Sequence, residues 1–126
     1  DPRPVEPDRG PPRSISQEWT FNRDLADATA LMEHLRRMSA EVAAELSKRN
    51  LLAHTVRVKF RTPDFTTFTR QRSLAVGTDD GETIYRLALA LWQEHWPAGR
   101  PMRLLGVGAT SLVEGQGRQL GLGFKD

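Results

Sequence analysis

Three basic side chains recur at alternate positions near the middle of the chain. Arg57, Lys59 and Arg61 alternate with apolar residues over 54–61, and alternate side chains of a β-strand share one face. Cationic groups about 6.6 Å apart on such a face can neutralise successive phosphates of a nucleic-acid duplex. Between 65 and 76, Thr, Gln and Ser side chains add neutral donors of the kind that bind phosphate oxygens. The pattern favours a surface for a polyanion, with an ordinary solvated sheet face as the alternative.

The distribution of charge along the chain points the same way. The 126 residues include 18 Lys and Arg against 16 Asp and Glu, a net charge of only +2. Residues 51–76, however, hold five basic residues against Asp64, a net charge of +4. Residues 77–96 hold Arg86 against four acids, a net charge of −3. Such segregation suggests a cationic surface backed by a more acidic one.

Side chains that could carry catalysis or hold a metal ion are scattered. The chain has no cysteine, which excludes disulfides, cysteine zinc sites, iron–sulfur clusters and cysteine nucleophiles. His34, His54 and His95 lack partners at metal-ligand spacing. Gly106-Val107-Gly108 lacks the third glycine and the following helix of a phosphate loop, so we interpret it as a strand that permits close backbone approach. We therefore expect no catalytic residue, cofactor or metal ion in this chain.

Six elements must position the basic residues. Alternating and helical periodicities predict the order β-α-β-β-α-β: strand 14–21, helix 24–49, strands 54–61 and 65–76, a helix between the turn at 77–81 and Pro97, and strand 102–112. This order defines an α+β fold, a four-stranded antiparallel sheet with two helices packed on one face. The other face is then free, and the basic residues of strand 54–61 would lie on it.

Turn and cap residues mark the boundaries of these elements. Asp24 can cap the first helix, and Asn50 can take the left-handed conformation that ends it. Thr62-Pro63-Asp64 predicts the turn of a hairpin. Asp79 with Glu82 resembles a capping box for the second helix.

One strand leaves the side of its basic residues open. Arg70 and Arg72 share their parity with Phe68 and Leu74, so basic and apolar residues compete for the same face of strand 65–76. A β-bulge would resolve the conflict, but the sequence does not indicate one.

Aromatic residues do not form an evident platform for stacked bases. We interpret Trp19 and Phe60 as core residues, because both stand on the apolar side of their strands. A reader of single-stranded RNA or DNA is therefore disfavoured, and phosphate contacts to a duplex suit the residues better.

Both ends of the chain differ from the domain predicted between them, 14–113. Residues 1–13 hold five of the eight prolines, which predicts an extended, stiff linker. The chain starts without Met and without a signal region, so we expect a piece of a longer, cytoplasmic protein. No apolar run approaches about 18 residues, so no membrane span is predicted.

The last residues, 114–126, form a predicted flexible tail with one specific feature. The motif Gln119-Leu120-Gly121-Leu122-Gly123-Phe124 places three large apolar side chains at alternate positions behind a glutamine. An extended segment of this type can insert its apolar side chains into a groove on a partner, with Gln119 fixing the register. A last strand that folds back on its own domain is the alternative.

The combined motifs resemble a known domain. SISQEWTF at the start, TVRVKFRTPDFTTFTRQRSL in the centre and MRLLGVGATSL at the end are similar to the little finger domain of Y-family DNA polymerases, with the closest match to the bacterial DNA polymerase IV branch. The resemblance covers roughly residues 13–112. It implies that the free sheet face lies in the major groove of a template–primer duplex and contacts phosphates of both strands.

The resemblance also implies site residues and partners. Pattern and resemblance together assign DNA contacts to Arg57, Lys59, Arg61, Thr69, Arg70, Arg72 and Arg103. The tail motif is similar to the clamp-binding peptide of bacterial polymerases, which makes the sliding clamp (the β subunit) the implied partner of Gln119, Leu120, Leu122 and Phe124. The parent polymerase is expected to hold Mg²⁺ on palm carboxylates that would lie upstream of this chain.

These observations lead to one functional hypothesis and its rivals. We expect a monomeric, non-catalytic module of a translesion polymerase that grips double-stranded DNA through its backbone and binds the sliding clamp. The alternative is a ferredoxin-like protein-interaction or small-ligand regulatory domain without a DNA role. A stand-alone enzyme would need a site that the sequence does not contain. Affinity for a duplex that falls steeply with salt distinguishes the first hypothesis from the second.

Overall fold

The computed structural model of the chain describes residues 14–96 and 100–115. Its six elements follow the predicted order: β1 (Ser14–Leu25), α1 (Ala28–Lys48), β2 (Leu51–Arg61), β3 (Thr67–Thr78), α2 (Gly81–His95) and β4 (Met102–Glu114). The four strands form one sheet in the order β1-β4-β2-β3, and every neighbouring pair is antiparallel. The predicted α+β fold is confirmed. The predicted linker, 1–13, and the predicted clamp-binding peptide, 119–124, lie outside the described residues.

The core lies between the helices and one face of the sheet. The two central strands contribute alternating apolar side chains that are almost fully buried: Val56, Val58, Phe60, Leu105 and Val107. Each helix buries residues at steps of three or four, which places one apolar stripe against the sheet. The stripes are Leu31, Leu35, Met38, Val42 and Leu46 in α1, and Ile84, Ala88, Leu91 and Trp92 in α2. One face of the sheet is therefore covered, and the other is not.

The start of α1 differs from the prediction. β1 continues to Leu25, so Asp24 belongs to the strand and does not cap the helix. Asp27 is the cap instead, because its carboxylate accepts a hydrogen bond from the backbone N–H of Thr29 at 3.0 Å. This bond satisfies one of the unpaired donors of the first turn. At the other end, Asn50 has the predicted left-handed conformation, with a φ of 58°.

The cap of α2 also differs by one residue from the prediction. Asp80, not Asp79, accepts hydrogen bonds from the hydroxyl of Thr83 at 2.8 Å and from its backbone N–H at 2.9 Å. These bonds lower the pKa of the Asp80 carboxyl. Asp79 instead accepts a hydrogen bond from the Ser47 hydroxyl at 3.0 Å, which joins the start of α2 to the end of α1.

β3 begins later than predicted because the preceding turn is larger. The backbone N–H of Phe65 donates to the Thr62 carbonyl at 2.9 Å, and that of Thr62 donates to the Thr66 carbonyl at 3.0 Å. Phe65 has a φ of 64° and is 66% exposed, so it is a turn residue and not a strand residue. The Thr62 hydroxyl and the Thr66 backbone N–H both donate to Asp64, and these bonds lower the pKa of its carboxyl.

Of the two aromatic residues predicted in the core, Phe60 is buried and Trp19 is not. Phe60 is 1% exposed, whereas Trp19 is 50% exposed. Trp19 lies on the edge strand β1, where its ring stacks on His34 with 6.0 Å between centroids. The guanidinium carbon of Arg37 lies 5.2 Å from the same ring. The prediction for Trp19 is wrong because an edge strand has a neighbour on one side only, and α1 covers part of this ring.

Candidate nucleic-acid interface

The basic residues of β2 lie on the sheet face that the helices leave uncovered. Because β2 alternates, Arg57, Lys59 and Arg61 point away from the core that contains Val58 and Phe60. The register extends this surface, the open face, across all four strands in three rows: Ser16, Gly108, Arg57 and Gln71; Glu18, Gly106, Lys59 and Thr69; and Thr20, Leu104, Arg61 and Thr67. Lys59 and the predicted contact residue Thr69 are thus direct neighbours.

Neutral side chains of β3 hold two of the three cations. Arg57 Nε donates to Gln71 Oε1 at 3.4 Å, and Arg61 Nε donates to Thr67 Oγ1 at 2.9 Å. Both contacts orient a guanidinium group without compensating its charge. The remaining donors of each guanidinium can therefore bind a phosphate in bidentate geometry.

Glycines of β4 form a groove in the open face. Gly106 and Gly108 form its floor, and the walls include Ser14, Ser16, Arg57 and Lys59. The groove has a volume of about 110 Å³. Since Gly106 has no side chain, Lys59 Nζ reaches across it to Glu18 Oε2, two strands away, at 2.9 Å. The missing side chains let another backbone approach β4 closely, as the sequence predicts for this segment.

Arg70 and Arg72 lie on the opposite side of the sheet from the β2 cations. In the register, Arg70 pairs with Val58 and Arg72 with Val56, and both valines face the helices. The β2–β3 register is regular from Thr55 to Arg61 and shifts only between Ala53 and Thr55. The predicted ambiguity is therefore resolved toward the helix side, and the register shift lies beyond both arginines.

The helix-side position gives Arg70 and Arg72 partners on α2. Arg72 forms an ion pair with Glu94, with a nitrogen–oxygen distance of 2.9 Å. Arg70 Nε donates to His95 Nδ1 at 3.3 Å. Because β3 is an edge strand, both arginines stay accessible from its unpaired edge, and Arg72 keeps 43% of its side-chain surface exposed. They can meet a ligand that passes this edge, but they do not share a face with Lys59.

Arg103 lies at the start of β4, close to the hairpin turn. Its Nε donates to Asp24 Oδ1 at 2.8 Å, and its guanidinium carbon lies 5.7 Å from the ring of Phe65. The pair with Asp24 is partly shielded, since each side chain keeps 35% of its surface exposed. Arg103 is thus separate from the three rows of the open face.

Three acidic residues that the sequence did not single out pair with predicted DNA-binding cations. They are Glu18, Asp24 and Glu94, on β1, β1 and α2 respectively. Each pair joins residues far apart in the chain, so local periodicity could not indicate it. The available signal was weak: Glu18 falls on the polar side of the predicted first strand.

Other candidate chemistry stays dispersed. Over residues 14–96 and 100–115, no three His, Asp or Glu side chains are placed to hold a metal ion. His34 packs edge-on against Phe21, with 5.0 Å between ring centroids, and burial is the main cause that lowers its pKa. Neither helix of the described residues is long and apolar enough to span a membrane.

Comparison with known proteins identifies the class. The model of the impB/mucB/samB family C-terminal domain matches residues 12–122, so the chain belongs to this family. A solved complex of the beta-clamp processivity factor with the little finger domain of PolIV has the same fold. It aligns with a TM-score of 0.64 and 23% identity over 77% of this chain and 86% of that one. The predicted little finger resemblance is confirmed.

The curated relatives narrow the class to one kind of polymerase. DNA polymerase IV of Bacillus anthracis is 33% identical over 113 residues, which cover 89% of this chain and 27% of the relative. DNA polymerase IV of Caulobacter vibrioides is 36% identical over 114 residues, 90% of this chain and 28% of the relative. That of Methanoculleus marisnigri is 42% identical over 107 residues, 85% and 29%. The chain thus spans between a quarter and a third of the length of these relatives.

Proposed function

We propose that this chain is the DNA-gripping little finger of a translesion DNA polymerase of the DNA polymerase IV type. The observation that carries the proposal is the row of Arg57, Lys59 and Arg61 along the face that the helices leave open. Three cations at alternate positions of one strand match a polyanionic backbone. Membership of a family whose curated members include DNA polymerases IV supports the same function.

The open face suits contacts to phosphates more than contacts to bases. Its neutral side chains on β3, Thr67, Thr69 and Gln71, are donors that commonly bind phosphate oxygens. The glycine-floored groove lets a sugar–phosphate backbone approach the sheet. Base readout needs side chains that reach base edges in a groove, and the cations of this face are bound back to the sheet. Binding without sequence preference follows.

The parent protein and its clamp enter the proposal through the relatives and the tail. DNA polymerase IV relatives extend far beyond the matched part, and we propose that the missing part holds the Mg²⁺-dependent catalytic palm. The motif Gln119 to Phe124, with Leu120 and Leu122 between, would bind the sliding clamp. Support comes from the solved relative, which is in a complex with a beta-clamp processivity factor. Such a tether raises the local concentration of a weakly binding module at DNA.

Titration of the chain with a short DNA duplex at several salt concentrations tests the DNA-binding role. We expect log K to fall linearly with log salt, and two duplexes of unrelated sequence to bind equally well. The variant R57Q/K59Q/R61Q should lose most of this affinity. A matched control, R36Q/R37Q/K48Q, removes the same charge from α1 and should bind like the wild type. Equal losses in both variants, or a wild type without salt-dependent binding, would favour the regulatory-domain alternative.

A further inference from the structure

We propose that Glu18 limits the affinity of the open face for DNA by occupying the ammonium group of Lys59. A phosphate must then displace a carboxylate before it can use this cation. This proposal rests on the DNA-binding function proposed above, and it gives Glu18 the role of a residue that acts through Lys59.

The geometry of one row carries the proposal. Glu18, Gly106 and Lys59 are register neighbours on three adjacent strands. Strands lie about 4.8 Å apart, so a side chain on the middle strand would separate residues of the outer two. Gly106 has none, and a Cβ placed there would lie 3.0 Å from Glu18 Cγ. The Glu18 side chain therefore lies across the glycine, and its Oε2 reaches Lys59 Nζ at 2.9 Å.

The chemical composition of the open face makes this pair exceptional. Among the twelve residues of the three rows, Glu18 is the single acid. Arg57 and Arg61 bind neutral partners on β3, so a phosphate can approach them without displacing a charge. Lys59 alone in these rows already has a carboxylate in the position that a phosphate oxygen would take.

The exposure of the pair allows exchange. The Lys59 and Glu18 side chains keep 36% and 44% of their surface exposed, and an exposed ion pair of this kind is weak. A phosphate can therefore replace the carboxylate at a modest cost in affinity. Because Glu18 already neutralises Lys59, fewer counterions gather at this cation, and fewer are released when DNA binds.

The test compares Glu18→Gln with Glu82→Gln in the full chain. Glu82 also belongs to exposed ion pairs, with Arg36 and Arg86, but these lie on the helices, so the control removes the same charge from the other side. We expect E18Q to bind a duplex roughly two- to fivefold more tightly at low salt, the range that an exposed ion pair supports. Its salt slope should steepen by about 0.9, and E82Q should match the wild type.

A second background separates competition for Lys59 from plain repulsion of the duplex. In K59Q, the E18Q substitution should no longer improve affinity, because the cation that it frees is absent. The full improvement in the K59Q background would overturn the proposal, as would equal affinities of E18Q and E82Q. Either result leaves the DNA-binding function standing as long as the wild type binds with a steep salt dependence. A wild type that does not bind would instead remove the proposed function itself.

Discussion

The guanidinium of Arg72 donates hydrogen bonds to both carboxylate oxygens of Glu94, at 2.9 and 3.1 Å. This contact ties the edge strand β3 to the last turn of α2, on the side of the sheet opposite Lys59. The predicted DNA-binding cations therefore form two groups, one on the open face and one on the helix side of β3. A duplex can use both groups only if its backbone passes the unpaired edge of β3.

Alanine substitutions on the two sides of the sheet measure which cations meet DNA. We expect R57A to weaken duplex binding and to flatten the salt slope by about 0.9, because one phosphate contact is lost. R70A and R72A should act in the same direction. R72A should cost less affinity than R57A, since Glu94 already compensates the charge of Arg72. Fluorescence anisotropy across a salt series gives both quantities, and wild-type values for R70A and R72A would confine the duplex to the open face.

The tail motif predicts a separable function. Replacement of Leu122 and Phe124 by Ala should abolish binding to the sliding clamp, because it removes two of the apolar side chains that would fill a groove on the clamp. Affinity for the duplex should stay unchanged. Surface plasmon resonance with immobilised clamp, alongside the DNA titration, checks both parts. Undiminished clamp binding would show that another part of the chain makes the contact.

The hairpin turn predicts a specific loss of stability in acid. Hydrogen bonds from the Thr62 hydroxyl and the Thr66 backbone lower the pKa of Asp64 in the folded protein. The contribution of Asp64 is therefore present above its unfolded pKa, about 3.9, and is lost as pH falls through the folded value. The stability advantage of the wild type over D64N should shrink between about pH 5 and about pH 2.5. Urea unfolding at each pH measures it, and parallel curves for both proteins would contradict the prediction.

The glycine between Lys59 and Glu18 predicts a packing effect. A Cβ at Gly106 would lie 3.2 Å from the Gln17 carbonyl oxygen as well as against Glu18, so G106A should destabilise the fold by about 1–3 kcal/mol through crowding. At Gly108, a Cβ would be 3.8 Å from the nearest backbone oxygen, and G108A should cost less. Free energies of unfolding in urea provide the comparison. Equal costs would show that β1 can give way at both positions.

The element order was predictable because it depends on local periodicity. The apolar stripe of α1 and the alternation of β2 are visible within a few residues of sequence. The boundaries were less predictable, because contacts with distant residues decide them. Asp24 lies in a strand and not at a helix cap, since β1 stays paired with β4 up to Leu25.

The candidate site was predictable on β2 and not on β3. Each core-facing residue of β2 is apolar, so the opposite face of its basic residues follows from pattern. On β3, Phe68 and Arg70 share one side because α2 covers only part of an edge strand, and long basic side chains can reach past the apolar layer to polar partners on the helix. The pairing with Glu94 and His95 depends on how α2 packs, which the local sequence does not encode.

The separation of charge between the two layers has a kinetic consequence. β2 presents three cations on the open face, while residues 77–96, which contain α2, carry a net charge of −3. Such a molecule has an electric dipole that crosses the sheet, and the field of a polyanion exerts a torque on it before any contact forms. The domain is therefore expected to rotate its cationic side toward the duplex during approach, so that a larger fraction of collisions is productive. This gain in association rate does not require a large net charge, and it should fade as salt shortens the Debye length.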